Sequence, residues 1–170
     1  DAFAGIAGPL GLPSELHRYE NGETVVFTAG GVGLPPVYPI MREHLRMGNH
    51  VTLIAGFRGE EYLFWSKDDQ RIGQLQAEYA DLLEVIYTSN DGSFGLKGFV
   101  TDPLKEMLEK ARSGTGRSIG EVVAIGPPIM MSAVSNLTKP YAVRTVASLN
   151  SIMVDATGMC GACMVPVTLN

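Results

Sequence analysis

The 170-residue sequence predicts an α/β fold, a doubly wound five-stranded parallel sheet with helices on its faces. Three observations predict it. From residue 23 onward, short β-rich runs alternate with longer helical periodicities. The β-rich runs are nearly continuous in apolar residues, as strands buried on both faces are. The runs end in glycine- and proline-bearing junctions that lead into the next helical pattern, and right-handed crossovers then stack the strands side by side.

"ETVVFTAG" (23–30) is the first strand. A helix over 35–47 follows, with Val37, Ile40, Met41 and Leu45 at spacings of three and four and Gly48-Asn49 as its stop. "HVTLIAGF" (50–57) is the second strand, and a helical stretch carrying Leu63, Phe64, Ile72, Leu75 and Tyr79 comes next, weakened at Gly73. "LLEVIYTS" (82–89) is the third strand and "NDGSFGLKG" a loop. Thr101 is placed to cap a helix over 102–112, with Pro103 in its first turn and Glu106 positioned to interact back along it. "EVVAIG" (121–126) is the fourth strand, "PPIMMSAVSNLT" a short helix and "YAVRTVASL" (141–149) the fifth strand. No internal repeat or low-complexity tract interrupts the series.

Composition narrows the function classes. Hydrophobic residues make up 45% and charged residues 18%, with mean hydropathy +0.11, which describes a globular chain with apolar surface to offer a partner. A net charge of -5 and a pI near 5.1, without a Lys/Arg run, argue against a dedicated binder of nucleic acid or anionic membrane. No apolar run approaches the ~18 to 20 residues of a membrane span, and no basic segment followed by an apolar one opens the chain, so it reads as cytoplasmic. The Gly/Pro-rich opening "DAFAGIAGPLG" and the strand-like ending "CMVPVTLN" suggest a fragment of a longer polypeptide.

In a doubly wound sheet, ligands bind at the carboxyl ends of the strands beside the point where strand order reverses. The exit of the first strand, "GGVGL", is the prime candidate. Gly30, Gly31 and Gly33 can take positive φ and bring backbone close to a ligand, and the helix that follows Val32 and Leu34 turns its orphan N–H groups and positive dipole end to the same loop. These features suit a phosphate or pyrophosphate; a tight strand-to-helix turn is the plainer reading, since the loop is not G-x-G-x-x-G. "AGFRGEE", "TSNDGSFGLKG" and "IGPPIMM" fall at the same edge, and four such exits describe a dinucleotide groove. There Arg58 offers a fork to a phosphate or a surface ion pair to Glu60 or Glu61. Asn90 and Asp91 offer an acidic partner to a ribose hydroxyl or simply a turn, and Gly126-Pro127 starts a helix. Met130 and Met131 read as core. His17, His44 and His50 share no spacing, and no Ser/His/Asp order or paired carboxylates support a hydrolase.

Cys160 and Cys163, set among glycines, let two thiolates converge on one metal or cluster. Two thiolates are too few for a closed tetrahedral site, and a redox dithiol or a zinc site shared between chains is the alternative.

Five segments, "GPLGLPSE", "GGVGLPPVYPI", "NDGSFGLKGFVTD", "AIGPPIMMSAV" and "SLNSIMVDATGMCGACMV", resemble in their order the pyridine-nucleotide half of the ferredoxin-NADP reductase superfamily, over essentially the whole chain. The nearest branch is the small FAD-containing subunit of NADH-dependent ferredoxin:NADP oxidoreductase, also called the sulfide dehydrogenase small subunit; the electron-transfer subunit of dihydroorotate dehydrogenase is related. The resemblance implies residues 1–22 as the exit from an FAD-binding barrel outside this chain, 23–150 as the NAD(P)-binding domain and 151–170 as a truncated iron-sulfur loop. It also implies pyrophosphate at Gly30, Gly31, Val32, Gly33 and Leu34, and nicotinamide at Gly126 and Pro127.

Where NADP-specific members carry a Ser-Arg pair this chain has Asn90-Asp91, a lean to NAD(H), although Arg58 and Lys97 leave NADPH open. Asp155, five residues before Cys160, joins Cys160 and Cys163 as an implied [2Fe-2S] ligand, with a further cysteine expected beyond Asn170. A larger redox subunit and a ferredoxin-type carrier are the implied partners. No residue of the chain itself is assigned a catalytic role, because nicotinamide, flavin and cluster carry the electron chemistry. The alternatives are a dihydroorotate dehydrogenase partner subunit or a non-catalytic docking module.

Overall fold

The computed structural model describes residues 12–66, 70–149 and 159–166. Within Leu16–Ser148 the chain forms a sheet of six parallel strands. In chain order these are β1 (Thr24–Gly30), β2 (His50–Phe57), β3 (Leu83–Ser89), β4 (Leu96–Lys97), β5 (Ile119–Ile125) and β6 (Arg144–Ala147). Their spatial order is β4-β3-β2-β1-β5-β6, so the order reverses between β1 and β5, as a doubly wound sheet requires. All seven residues of β1 are buried, which is why its sequence does not alternate.

The sheet has one strand more than the sequence predicts. β4 lies in the segment read as loop: Phe94 N donates to Ser89 Oγ at 3.1 Å, Gly95 turns back at φ 62°, and Leu96 and Lys97 pair with Thr88 and Ser89. Two residues are too few to leave a periodic signal.

The helices are α1 (Leu34–Arg46), α2 (Arg71–Glu78), α3 (Thr101–Ser113) and α4 (Pro128–Thr138). Pro35 and Pro36 fall in the first turn of α1, where N–H groups lack intrahelical acceptors in any case. The helical stretch expected to include Leu63 and Phe64 is instead a 3-10 turn over Glu60–Tyr62 followed by an aromatic cluster. Phe64 stacks edge-on against Phe57 (5.6 Å) and Trp65 (5.5 Å), and α2 starts only at Arg71. Thr101 is the first residue of α3 rather than its cap. No side chain caps the helix; Asp102 Oδ2 instead accepts from Phe99 N, ahead of the first turn, at 2.7 Å. Glu106 pairs forward with Lys110 at 2.6 Å.

The two sheet faces carry two cores. Phe27, Leu53 and Ala55 pack with Leu34, Val37, Met41 of α1 and Ile72, Leu75 of α2; Val26, Ile54 and Val122 pack with Leu104, Leu108 of α3 and Met131, Val134 of α4. Fully burying one such side chain contributes about 1.5–3 kcal/mol. Met131 is core as expected, while Met130 is half-buried.

At the amino ends of the strands a buried polar network holds the segment that enters the sheet. Asn49 accepts from Tyr19 N through Oδ1 (2.8 Å) and donates through Nδ2 to His17 O (2.8 Å) and to His44 Nδ1 (3.0 Å). The Tyr19 ring packs against Gly120, where a Cβ would stand 2.4 Å from it. Its hydroxyl donates to Glu121 Oε2 at 3.3 Å, and Glu121, 2% exposed, pairs with Arg144 at 2.9 Å. Burial, then the Glu121 charge, pushes Tyr19 up to about 12. Burial likewise holds His44, packed against Phe27, below the usual imidazole range, which makes it a core histidine. No helix among the described residues is long and apolar enough to cross a membrane.

Candidate functional site

The exits of β1, β2, β3 and β5 share one rim because all the strands run parallel. At the centre of this rim the three glycines of the first exit do different jobs. Only Gly31 takes positive φ (52°), and nothing lies within 4 Å of where its Cβ would be. Gly30 ends β1 in an extended conformation (φ -105°) and Gly33 is helical (φ -71°), so the expectation of positive φ at all three positions is corrected.

Gly30 and Gly33 are glycine for lack of room. A Cβ on Gly33 would fall 2.1 Å from Ile125 O, and one on Gly30 would fall 2.7 Å from Met130 Sδ and 2.8 Å from Pro127 Cδ. Gly126 answers from the other side, its Cβ position lying 3.0 Å from Gly30 N. The β1 and β5 exits therefore meet in close backbone contact, with the Met130 side chain against both.

Gly31–Gly33 forms a 3-10 turn that runs directly into α1, and Leu34 N donates to Gly31 O. Leu34 is buried and its amide engaged, so a ligand at the head of the turn meets the backbone of Gly31 and Val32 first. Val32 itself is 85% exposed, and Ile129, in the first turn of α4, is 82% exposed. Pro127 precedes α4 with Pro128 as its first residue, the helix start the sequence predicts.

On the β2 and β3 side, Asn90 N donates to Phe57 O (3.1 Å) and Asp91 N to Arg58 O (3.3 Å), which joins the two exits. Asp91 Oδ1 accepts from Ser93 N (2.9 Å) and Ser93 Oγ (2.7 Å), and Ser93 Oγ in turn accepts from Glu60 N (2.8 Å). Asn90-Asp91-Gly92 is thus a turn, with Gly92 at φ 82°. The hydrogen bonds from Ser93 hold the exposed Asp91 carboxyl below its usual range. Gly59 separates Asp91 from Glu61: its Cβ position lies 2.5 Å from Asp91 Oδ2 and 2.6 Å from Glu61 Oε2. Arg58 is exposed and makes no ion pair among the described residues, so of its two alternatives the pairing with Glu60 or Glu61 is not formed.

Met130, Gly59 and Ser93 complete the rim without having been singled out as site residues. The only signal for them was their presence in the same exit segments.

Cys160 and Cys163 are exposed and not joined in a disulfide, Gly161 between them turns at φ 63°, and Asp155 lies outside the described residues. Among the described residues no three His, Cys, Asp or Glu converge to hold a metal.

A parallel sheet with a reversal point, an open glycine turn at that point and a helix N-terminus behind it define a dinucleotide-binding α/β domain. The chain belongs to the oxidoreductase NAD-binding domain family, whose model matches residues 27–136. It is 36% identical over 168 residues to the dihydroorotate dehydrogenase B (NAD(+)) electron transfer subunit homolog of Thermotoga maritima, covering 99% of this chain and 53% of the relative. The solved structure of an NADH-dependent reduced ferredoxin-NADP oxidoreductase superposes with a TM-score of 0.75 at 34% identity, covering 96% of this chain and 52% of that one. The C-terminal domain of a Pyrococcus furiosus hydrogenase shares the fold alone, with a TM-score of 0.56 at 19% identity over 83% of this chain and 100% of that one. The chain spans about half the length of the curated relatives it matches.

Proposed function

We propose that the chain is the NAD(P)(H)-binding half of a flavin and iron-sulfur oxidoreductase subunit, with NAD(H) the favoured nucleotide. The observation that carries the reading is the Gly31 turn, open to solvent at the reversal point of the sheet. When bound, nicotinamide carries hydride and flavin relays its two electrons one at a time to an iron-sulfur centre.

The chain's own residues bind and orient. The Gly31 and Val32 amides, backed by the positive end of α1, hold the pyrophosphate, and Arg58 adds a cation. Gly30, Gly33 and Gly126 let the two exits pack closely beneath the turn, while Gly126-Pro127 together with the exposed Val32 and Ile129 form an apolar seat for the nicotinamide. Asp91 and Glu61, set side by side across Gly59, accept from a ribose 2'-hydroxyl and repel a 2'-phosphate. Asp155, Cys160 and Cys163 are proposed as [2Fe-2S] ligands. The two described thiolates do not complete such a site by themselves.

A larger redox subunit and a ferredoxin-type carrier are the proposed partners, in the cytoplasm, where reduced thiols persist. The Thermotoga relative favours a second reading, the electron-transfer subunit of a dihydroorotate dehydrogenase.

The test is thermal unfolding of the 170-residue chain with NADH and, separately, with nicotinamide mononucleotide. Stabilisation by the dinucleotide, about 2.7 kcal/mol at a hundredfold excess over Kd, is the expected result. No shift with NADH, or equal shifts with both ligands, would overturn the reading and leave a non-catalytic docking module.

A further inference from the structure

At the amino ends of the strands, away from the glycine rim, the sheet breaks its own pattern. Strands covered on both faces are apolar throughout. On the α3 face Val26, Ile54 and Ile86 obey this and pack with Leu104 and Leu108. Two residues earlier on the same face, by the period-two alternation of a strand, stand Thr24, Thr52 and Glu84, with His50 in register beside Thr24. Met107 and Lys110 of α3 stand beside them. Between these strand beginnings, the last turns of α3 and the segment leading into β5 there is a cleft of ≈ 310 Å³, at the small end of the ~300–1,000 Å³ range of small-molecule sites.

The floor of this cleft has hydrogen-bonding capacity to offer. Thr24 and Thr52 are each 3% exposed, yet the Thr24 hydroxyl reaches His50 O only at 3.3 Å and Thr52 Oγ1 only at 3.5 Å, both at the long limit of a hydrogen bond. The walls carry opposite charges that do not close on each other. Arg117 lines the cleft beside β1, Asp81 and Glu84 line it beside β3, and among the described residues none of the three is in an ion pair. Lys110, also at the wall, is held by Glu106 at 2.6 Å and feels the Glu84 charge only as a weaker electrostatic neighbour. Arg117 donates one N–H to Gly22 O at 3.1 Å and has others to give. Arg117, bonded to Gly22 O just before β1, and Glu84 on β3 stand on opposite sides of β2. Burial and the Arg117 charge hold His50 below the usual imidazole range, so its neutral ring adds a donor or acceptor rather than a third positive charge.

We propose that this cleft binds a small linear zwitterion, its carboxylate against Arg117, His50 and the two threonine hydroxyls and its ammonium group against Asp81 and Glu84. Only a ligand carrying both charges satisfies both walls. A simple anion leaves the carboxylates facing it, and a simple cation leaves Arg117. The site is independent of the nucleotide rim, which lies at the far ends of the same strands.

The experiment is an NMR titration of the ¹⁵N-labelled chain with γ-aminobutyrate and ε-aminocaproate, using butyrate and butylamine as single-charge controls. The expected result is saturable shifts at the amides of residues 24, 50, 52, 82–84, 116 and 117 with at least one zwitterion, and about tenfold weaker binding of both controls. Arg117→Gln and Glu84→Gln, both at exposed side chains, should each weaken the zwitterion by about fivefold or more with the unfolding temperature retained. Absence of saturable shifts with both zwitterions, equal response to all four probes, or unchanged binding in both variants would overturn the proposal.

Discussion

At the carboxyl ends of the strands the chain is held by backbone against backbone, Gly30 and Gly33 meeting Ile125 and Gly126, whereas at the amino ends it is held by side chains, Tyr19, Asn49, Glu121 and Arg144 joined through hydrogen bonds and an ion pair. The first arrangement leaves few side chains between solvent and the amides at the head of α1. The second buries polar atoms in pairs and locks the entering segment down. The glycine rim is thereby left low in side chains while the network at the other end anchors the entering segment, and the two should respond differently to substitution.

The most damaging change is expected at the glycine rim, and for a reason of packing. Gly33→Ala puts a methyl group into the Ile125 carbonyl, which cannot yield as a flexible side chain does. A loss of about 3 kcal/mol, the upper range of overpacking, is expected in urea unfolding. An unchanged unfolding midpoint would mean that the two exits are not in contact.

Asn49→Ala comes next. It leaves Tyr19 N, His17 O and His44 Nδ1 without their shared partner, a loss of about 2 kcal/mol. Amide exchange should rise at Tyr19 while the glycine rim stays protected, which separates the two ends directly.

Gly31→Ala sharpens the contrast from the other side. The methyl group meets nothing, so only the left-handed φ of 52° costs stability, about 1 kcal/mol. NADH affinity should nevertheless fall about tenfold or more, because the methyl group stands where the pyrophosphate is proposed to lie. An unaltered NADH affinity would remove the cradle from the proposal.

Asp91→Asn keeps the oxygen that Ser93 donates to and removes the charge. The preference for NADH over NADPH should narrow by a few-fold, as suits an exposed charge, read from the ratio of the two dissociation constants.

The most gradual effect is that of pH. His44 titrates below the ordinary 6.5 in the folded chain because burial disfavours its charged form, so the unfolded chain takes up the proton first. Stability is intact above about 6.5 and declines as pH falls further, a slope visible in unfolding temperature between about pH 7 and pH 5. His50 is shifted in the same sense, so His44→Gln should reduce the slope without abolishing it.

How much of this was written in the sequence depends on how far apart the interacting residues are. β1 and β2 were legible almost to the residue, since an unbroken apolar run bounded by glycine needs no distant partner to be recognised. The location of the rim followed from topology alone. What each glycine does there was not legible: a residue without a Cβ serves positive φ and close packing equally, and only the approach of Ile125 and Gly126 distinguishes Gly33 from Gly31. Glu121 sits in an apolar strand and carries no mark of its role, because its hydrogen-bond partner Tyr19 is 102 residues away. Thr101 has the right chemistry for a cap, yet Asp102 one residue later reaches Phe99 N instead.

Both outer borders of the sheet are abbreviated: β4 offers two residues and β6 four. A neighbouring molecule that tried to extend the sheet would find too few exposed amides and carbonyls to fix a register, and on the β4 side it would also meet the charge of Lys97. Leu96 and Phe99 can therefore remain uncovered along that border without inviting fibrous growth, which a longer terminal strand with the same side chains would risk.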